Sequence, residues 1–505
     1  MRKKLKIIIP VIVILLLALP PRFSNLGYSN YYGDETKALY TDKYLTPIQF
    51  LLNQRKGPMQ FIATWGMEKI TGGYSEQFMR LPFAVAGLAS TIFFYGAVSK
   101  MFNNKTGFIA TLIYLSNGFF IAFSRTAQYQ SMVHFFSFLA LYLTLIGLQS
   151  ASNSYNKKIL GVFSLTLAGI SAGLALLSHY DGIFIFIPII LVFATKLSKT
   201  KNISDKRNLT NNLLLFLFMA ALIAAAFYIP YIIKGFFQEN TLSYLQKRLN
   251  GINQLPNNSL YTFYVYNPFV FAYFLPVLGI ITAAKSFLNR NVRASTHTYI
   301  ILVWFLIPFI LFEFIFSRPG THILNYIIPL IIVSAIGLEK LSAIPNNKKQ
   351  QSLLYALICS ALAVGIFYIS LIFTPSVNKK YPWEDTNIYG INLDKIDRDK
   401  SQLFLYGFPY NRAWDKIAEY LLGPLPVEKT RNFETNDNNT VAEFYLKPLT
   451  LFLEAPQYFI EVEDSQEMQN AKSVQTDIDD PFYYSKEYTI FTPEEKTINI
   501  YRRLQ

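Results

Sequence analysis

The sequence has one cysteine, Cys359, and it lies inside an apolar run. No intramolecular disulfide can form, and no cysteine cluster can hold zinc. Histidine is also scarce, with 4 residues scattered along the chain. No GxxxxGK[ST] segment occurs, which argues against a nucleotide-driven pump built from a single chain. Acidic residues are few over most of the length: residues 1–373 hold 10 Asp and Glu against 31 Lys and Arg. Residues 374–505 reverse the balance, with 22 acidic and 15 basic. The formal charge of +14 therefore averages a part at +21 and a part at −7. A basic total often points to nucleic acid. Here the basic residues sit in short loops between apolar runs, which is the pattern of membrane topology. Nucleic acid is not an expected partner.

What the chain has in excess is apolar length. It is 52% hydrophobic and 16% aromatic. Runs of about 17–25 apolar residues, each long enough to cross a bilayer core, recur as far as Phe373 and then stop. Eleven spans are expected, at 5–21, 81–100, 107–123, 131–149, 159–177, 182–196, 211–233, 267–288, 298–317, 322–340 and 351–373. The first begins like a signal peptide. However, Leu19-Pro20-Pro21-Arg22 offers no small-residue cleavage site, so it is read as a retained span.

With the N-terminus in the cytoplasm, every inner loop carries Lys or Arg, from Arg2/Lys3/Lys4 to Lys340/Lys348/Lys349. The short outer loops carry only Arg125 and Arg318. This agreement supports the span count, because one missed helix would invert every later loop. Two long segments, 22–80 and 374–505, then lie outside. In the first, Pro58 can open a surface helix with Phe61, Ile62 and Trp65 on its apolar side. The second reads as a small α/β domain: a strand at 403–406, a helix at 412–422 with Trp414, Ile417, Ala418 and Leu421 on one face, and a terminal hairpin around Pro493-Glu494-Glu495-Lys496. The expected architecture is an all-α polytopic membrane domain with a small soluble α/β C-terminal domain.

Two of the few carboxylates are adjacent, Asp34 and Glu35, just after the first span. Neighbouring carboxylates at a membrane surface repel unless they hold a cation, a hydroxyl or a proton. The plainer alternative is a solvated helix start, with Asp34 as N-cap. The chemistry that an acidic pair offers there is glycosyl transfer. A base takes the proton of an acceptor hydroxyl as it attacks the anomeric carbon. A leaving lipid phosphate needs cations, and Arg55, Lys56, Arg80, Arg125 and Arg318 lie near outer span ends. Headgroup anchoring is the alternative for each. Gln128, Tyr129, Gln130, His179, Tyr180, Asp181, His322 and Asn325 are further polar residues at the outer edge. Glu313, within the ninth span, should face the interior or pair with Arg318. His134 and His297 are weaker candidates.

These residues fall in an order that resembles the glycosyltransferase-C (GT-C) superfamily, in the branch of protein O-mannosyltransferases and the bacterial aminoarabinose transferase acting on lipid A. YYGDETKALY is similar to that branch's Asp-Glu loop, and RKGPMQF to its basic-x-Pro motif. The stretch from YSEQFMRLPF to SRTAQYQ resembles its second and third spans, and GTHILNYIIPLIIVSAIGLEKL its late polar-then-Pro span. YGFPYNRAWDKIAEYL resembles outer domains of prokaryotic members more loosely.

The resemblance implies Asp34 as the acceptor-facing base with Glu35 beside it. Lys56, Arg80, Arg125 and Arg318 would be at the donor phosphate. Gln128, Tyr129, His179, Tyr180, Asp181 and His322 would line the cavity. It further implies a polyprenyl-phosphate-linked sugar as donor, inversion in one displacement, and a lipid, glycan or protein acceptor. Gln130 stands where some members carry an acid, which weakens the case for a divalent cation there. The expected setting is the plasma membrane of a prokaryote, with the C-terminal domain extracytoplasmic and membrane lipids around the spans. Two other readings stay open: a transporter or flippase of lipid-linked sugars, and a non-catalytic member of the superfamily. The acidic pair lies in an outer loop and no internal repeat occurs, which favours the enzyme over the transporter.

Overall fold

The computed structural model describes residues 2–41, 44–149, 155–250, 259–288, 296–316, 320–397, 405–423, 432–452, 456–463, 465, 484–493 and 495–504. Among these, nine helical segments are long and apolar enough to cross a membrane: Glu76–Met101, Gln130–Gln149, Lys158–Ser178, Tyr180–Lys199, Ile203–Ile233, Phe271–Leu288, Thr296–Ile315, Gly320–Ser342 and Lys348–Leu371. Ile8–Phe23 is a shorter apolar helix. The other expected span, 107–123, is broken into Asn104–Leu115 and Gly118–Ala122.

The break has one local cause and one distant one. The Asn117 side chain accepts the Phe119 N–H and so starts the second piece. Gly118 donates its N–H to Asn267 Oδ1 at 2.6 Å. A Cβ on Gly118 would fall 1.8 Å from the Tyr266 carbonyl oxygen, so the close approach requires glycine. Asparagine performs the same capping elsewhere. Asn103, Asn202 and Asn347 each accept a backbone N–H at the start of Asn104–Leu115, Ile203–Ile233 and Lys348–Leu371.

Burial separates inner from outer helices. The window of Gly320–Ser342 is 89% buried, whereas those of Ile203–Ile233 and Phe271–Leu288 are 17% buried. The first is thus the central strut, and the other two present Leu214, Phe218, Leu222 and Phe274 outward, as a lipid-facing surface requires. Phe271–Leu288 meets the strut through glycine: a Cβ on Gly337 would lie 1.8 Å from the Gly279 carbonyl oxygen. Ser334 Oγ donates to the Pro276 carbonyl at 2.8 Å in the same seam, a small-residue interface of the kind that joins helices in membranes.

In the first long loop the surface helix forms as expected, at Met59–Thr71 with Pro58 before it. A second short helix, Pro47–Leu52, is capped by Thr46. The tail holds two sheets. A hairpin pairs β1 (Thr386–Ile388) with β2 (Ile391–Leu393) across Tyr389 and Gly390, both at positive φ. The larger sheet has the order β4-β3-β5-β7-β6, from β3 (Asn432–Thr435), β4 (Thr450–Leu451), β5 (Tyr458–Val462), β6 (Tyr484–Phe491) and β7 (Thr497–Arg503). The expected terminal hairpin is β6–β7. The expected helix is Trp414–Leu422, with Trp414, Ile417 and Leu421 buried.

The expected strand at 403–406 does not form where it is described; residues 403 and 404 lie outside the described set. Leu405 and Tyr406 are irregular and instead thread into the helical bundle. Leu405 N–H donates to Tyr32 Oη at 2.9 Å and Tyr406 N–H to Tyr266 Oη at 3.0 Å. Tyr381, Trp383, Phe408 and Tyr410 share the bundle's core, and a separate core starts only at Ala413. Gly407, at φ +79°, makes this threading fit: a Cβ there would lie 2.5 Å from Ala122 Cα.

Replacing Gly337 with valine is expected to destabilise the bundle by about 1–3 kcal/mol through overpacking. A lowered thermal midpoint of the detergent-purified chain checks this; an unchanged midpoint would mean that the seam relaxes freely.

Candidate active site

The acidic pair lies on a single 3-10 turn, Gly33–Ala38, and its two members face different partners. Glu35 is fully buried. Its Oε1 accepts Arg80 Nε at 2.9 Å and the Ala127 N–H at 2.7 Å. Its Oε2 accepts Arg80 Nη2 at 2.8 Å and the Tyr32 N–H at 2.9 Å. Arg80 also donates to the carbonyls of Leu26, Ser29 and Asn30, at 2.7, 2.8 and 2.9 Å. All five guanidinium N–H groups are therefore engaged within the protein. Arg80 stands as a clasp tying the first loop to the helix Glu76–Met101 and to the 123–129 loop. The expectation that it faces a donor phosphate does not fit this geometry.

Asp34 points the other way. Lys37 Nζ lies 2.5 Å from its Oδ1 and Lys56 Nζ 2.5 Å from its Oδ2. Its N–H lies 3.5 Å from Tyr406 Oη, which comes from the tail. Burial pushes the Asp34 carboxyl up, but the two lysines outweigh it and hold the group well below the usual carboxylate range. Burial lowers Lys56, and the Asp34 charge opposes that effect. The Lys56 ammonium also lies 5.2 Å from the centre of the Tyr129 ring.

Tyr129 continues the site. Its ring stacks on His179 at 3.9 Å, nearly parallel. His179 lies against Tyr180 at 3.6 Å and His322 at 5.3 Å, ring centre to ring centre. Asp181 sits between the two histidines, 3.2 Å from His179 Nδ1 and 2.8 Å from His322 Nδ1. Four segments far apart in sequence thus meet at one end of the bundle: Asp34 and Lys56 from the first loop, Tyr129 from the second, His179–Asp181 from the third, and His322 from the first turn of the central strut.

The other expected residues divide. Arg125 is buried and donates to the Pro21 carbonyl at 2.9 Å, with Ser24 Oγ at 3.4 Å. It closes the C-terminal end of the first helix rather than facing the lysine–carboxylate pair. Burial, and then the charge of Arg80, lower its guanidinium to about 9. Gln128 is buried beside it, and Gln130 reaches Thr321 Oγ1 at 3.5 Å. Arg318 lies outside the described residues. Glu313, expected to face the interior or to pair with Arg318, accepts from Ser259 Oγ at 2.5 Å and Tyr326 Oη at 2.6 Å. Arg55 lies over the Tyr244 ring. Asn325 bonds the His322 carbonyl. His134 packs against Phe120 and Phe138, and His297 against Phe102.

Sequence reasoning missed Lys37 and Tyr406. Lys37 follows Asp34 at a helical i, i+3 spacing, a signal that could have been read. Nothing in the sequence links Tyr406 to a loop more than 370 residues earlier.

Comparison with known proteins completes the picture. Residues 55–231 match the family model described as dolichyl-phosphate-mannose-protein mannosyltransferase. The match takes in Lys56, Arg80, Arg125 and the 179–181 loop but begins after Asp34 and Glu35. A search of curated protein sequences gave no match. Among solved structures, the chain is similar to ArnT from Cupriavidus metallidurans bound to undecaprenyl phosphate, with a TM-score of 0.57, 14% identity and 97% of each chain covered. It is also similar to the archaeal oligosaccharyltransferase AglB from Archaeoglobus fulgidus in complex with an inhibitory peptide and a dolichol-phosphate. That match has a TM-score of 0.53 and 14% identity, covering 98% of this chain and 74% of the other.

The fold is therefore similar to that of ArnT and AglB: a bundle of helices long and apolar enough to cross a membrane, followed by a C-terminal domain. The match to the mannosyltransferase family model, over residues 55–231, takes in about a third of the chain.

Breaking the clasp leaves a buried uncompensated charge, so Glu35→Gln and Arg80→Met are each expected to cost about 3–5 kcal/mol of stability. The double variant should cost less than the sum of the two. Thermal unfolding in detergent tests this; two singles indistinguishable from the native chain would contradict a structural role.

Proposed function

We propose that this chain transfers a sugar from a polyprenyl-phosphate carrier to an acceptor hydroxyl, with Asp34 as the general base. The observation that carries the reading is the Asp34–Lys56 contact of 2.5 Å, with both groups partly open at the end of the bundle. The acceptor O–H attacks the anomeric carbon while its proton passes to the Asp34 carboxylate. The bond from that carbon to the carrier's phosphate oxygen breaks, and the configuration inverts. Lys56 stabilises the charge that builds on the departing phosphate.

The same lysine explains how a carboxylate held so low can act as a base. When the phosphate draws Lys56 away, Asp34 loses the contact that lowers it most, and its basicity rises as the donor binds. Tyr129 and His322 form the wall beside this pair, with Tyr406 of the tail overhead. An apolar cavity of about 310 Å³ between helices, lined in part by Ile113, Leu260, Phe263, Ile323, Tyr326 and Ile327, suits an isoprenoid chain by its composition. The bound undecaprenyl phosphate of ArnT and dolichol-phosphate of AglB are consistent with such a carrier.

The sugar is a hexose of the mannose type, and the acceptor a lipid, glycan or protein. The basic loops support an N-terminus in the cytoplasm, with the tail and the site on the outer face of the membrane.

Purified chain in liposomes, supplied with radiolabelled polyprenyl-phosphate hexoses and a membrane extract, should move label from carrier to acceptor. Asp34→Asn should reduce that transfer by about 10²–10⁴-fold. Carrier crossing between leaflets without transfer would overturn the enzyme reading in favour of a flippase.

A pH profile gives a second check. The folded Asp34 value lies below the unfolded one, about 3.9. Its contribution to stability is thus present above that value and is lost only as pH falls toward the folded value. The native kcat/KM should accordingly show no acid limb from Asp34 between pH 5 and 8. Lys56→Met removes the main lowering charge and should bring an acid limb upward toward that window. A profile that does not move would remove Asp34 from the mechanism.

A further inference from the structure

His179, Asp181 and His322 bring one potential ligand atom each to within 4.8 Å of one another, and ordinary hydrogen bonding does not satisfy all three. His322 Nδ1 and Asp181 Oδ2, at 2.8 Å, form a normal donation from the ring. His179 differs. Its Nδ1 accepts the Asp181 N–H at 3.1 Å, so that nitrogen bears the lone pair. The same nitrogen lies 3.2 Å from Asp181 Oδ1. Oδ1 accepts no hydrogen bond, and His179 Nε2 makes none either, although His179 is wholly buried. A carboxylate oxygen facing an imidazole lone pair away from water is costly unless a positive charge lies between them. Nearby, Gln130 is buried, its amide group reaches Thr321 beside His322, and its Oε1 has no hydrogen-bond partner.

We propose that these three side chains bind one divalent transition-metal ion of the zinc class. Two imidazoles and a carboxylate are the donor set of open, three-ligand zinc sites. Calcium and magnesium prefer oxygen alone. Bonds of about 2.1 Å in a tetrahedral site place donors about 3.4 Å apart, so modest side-chain rotations draw the present cluster together. The ion would carry one positive charge beyond Asp181 and leave a position open for an anion. Tyr129, stacked on His179, separates it from Lys56. Only the role of the ion rests on the proposed transfer reaction: it would hold an oxygen of the carrier's phosphate opposite Lys56.

The test uses the full chain, purified with any affinity tag removed, loaded with zinc and dialysed against metal-free buffer. Metal per chain is counted by mass spectrometry, and cobalt replaces zinc for an optical spectrum. One equivalent, a cobalt spectrum of tetrahedral type and a metal-dependent rise in the thermal midpoint are expected. Asp181→Asn and His322→Gln should each weaken binding by about 10–100-fold while still eluting as single species. Retention equal in native chain and variants, or no retention at all, would reduce the cluster to a hydrogen-bonded triad and overturn the proposal. Metal bound and lost on substitution in a chain that transfers no sugar would keep the site and sink the transfer reading. Undiminished transfer by a chain shown to hold no metal would do the reverse.

Discussion

The buried ion pair between Glu35 and Arg80 is the contact on which the rest of this end of the molecule depends. A carboxylate and a guanidinium without access to water are tolerated only when every donor and acceptor is matched. Here the matching partners are backbone groups from two separate segments, residues 26–32 and residue 127, brought to a side chain of the helix that carries Arg80. Satisfying the pair therefore fixes the first loop against the second. Asp34 is one residue from Glu35 on the same 3-10 turn, so the clasp that holds Glu35 inward necessarily presents Asp34 outward. The two acids do not share one role. One is a structural anchor, and the other is left partly exposed with two lysines.

The tail is built into this arrangement rather than tethered beside it. Asn30 Oδ1 accepts the N–H groups of Arg412 and Trp414, at 2.9 and 3.3 Å. Tyr31 N–H donates to Tyr445 Oη, which bonds Glu76 in turn. The Phe444 ring meets the edge of Tyr31 at 5.1 Å. Arg412 lies over the rings of Tyr32, Trp383 and Tyr410. These contacts reach the same loop that carries Asp34, and Tyr406 ends beside Asp34 itself. Loop and tail therefore share one set of hydrogen bonds.

Electrostatics at the site follow from the scarcity of acid. With few carboxylates in the membrane part, those turned inward meet specific partners: Glu35 meets Arg80, Asp181 two histidines, and Glu313 Ser259 and Tyr326. Asp34 is paired with two lysines that remain partly exposed. An exposed ammonium can move to a new anion at little cost, whereas the guanidinium of Arg80 cannot. In the proposed transfer, recruitment of a phosphate would thus fall to Lys56 and not to Arg80.

Much of this was legible in the chain before folding. Apolar run length and loop charge specify the spans, because a bilayer admits only helices of a given length with their backbone groups satisfied internally. The surface helix after Pro58, the tail helix near Trp414 and the terminal hairpin follow from periodicity and turn residues, which act locally. The acidic pair, Lys56 and the 179–181 loop were identifiable as rare polar residues at span ends. What only the tertiary structure decided is which of them meet. The split of Asp34 from Glu35, the conversion of Arg80 from ligand to clasp, the break at Asn117-Gly118 and the entry of Tyr406 all depend on contacts between segments 45 to more than 370 residues apart. Composition and local propensity carry no information about such distant neighbours, because a side chain's role is set by whether its hydrogen bonds are already taken.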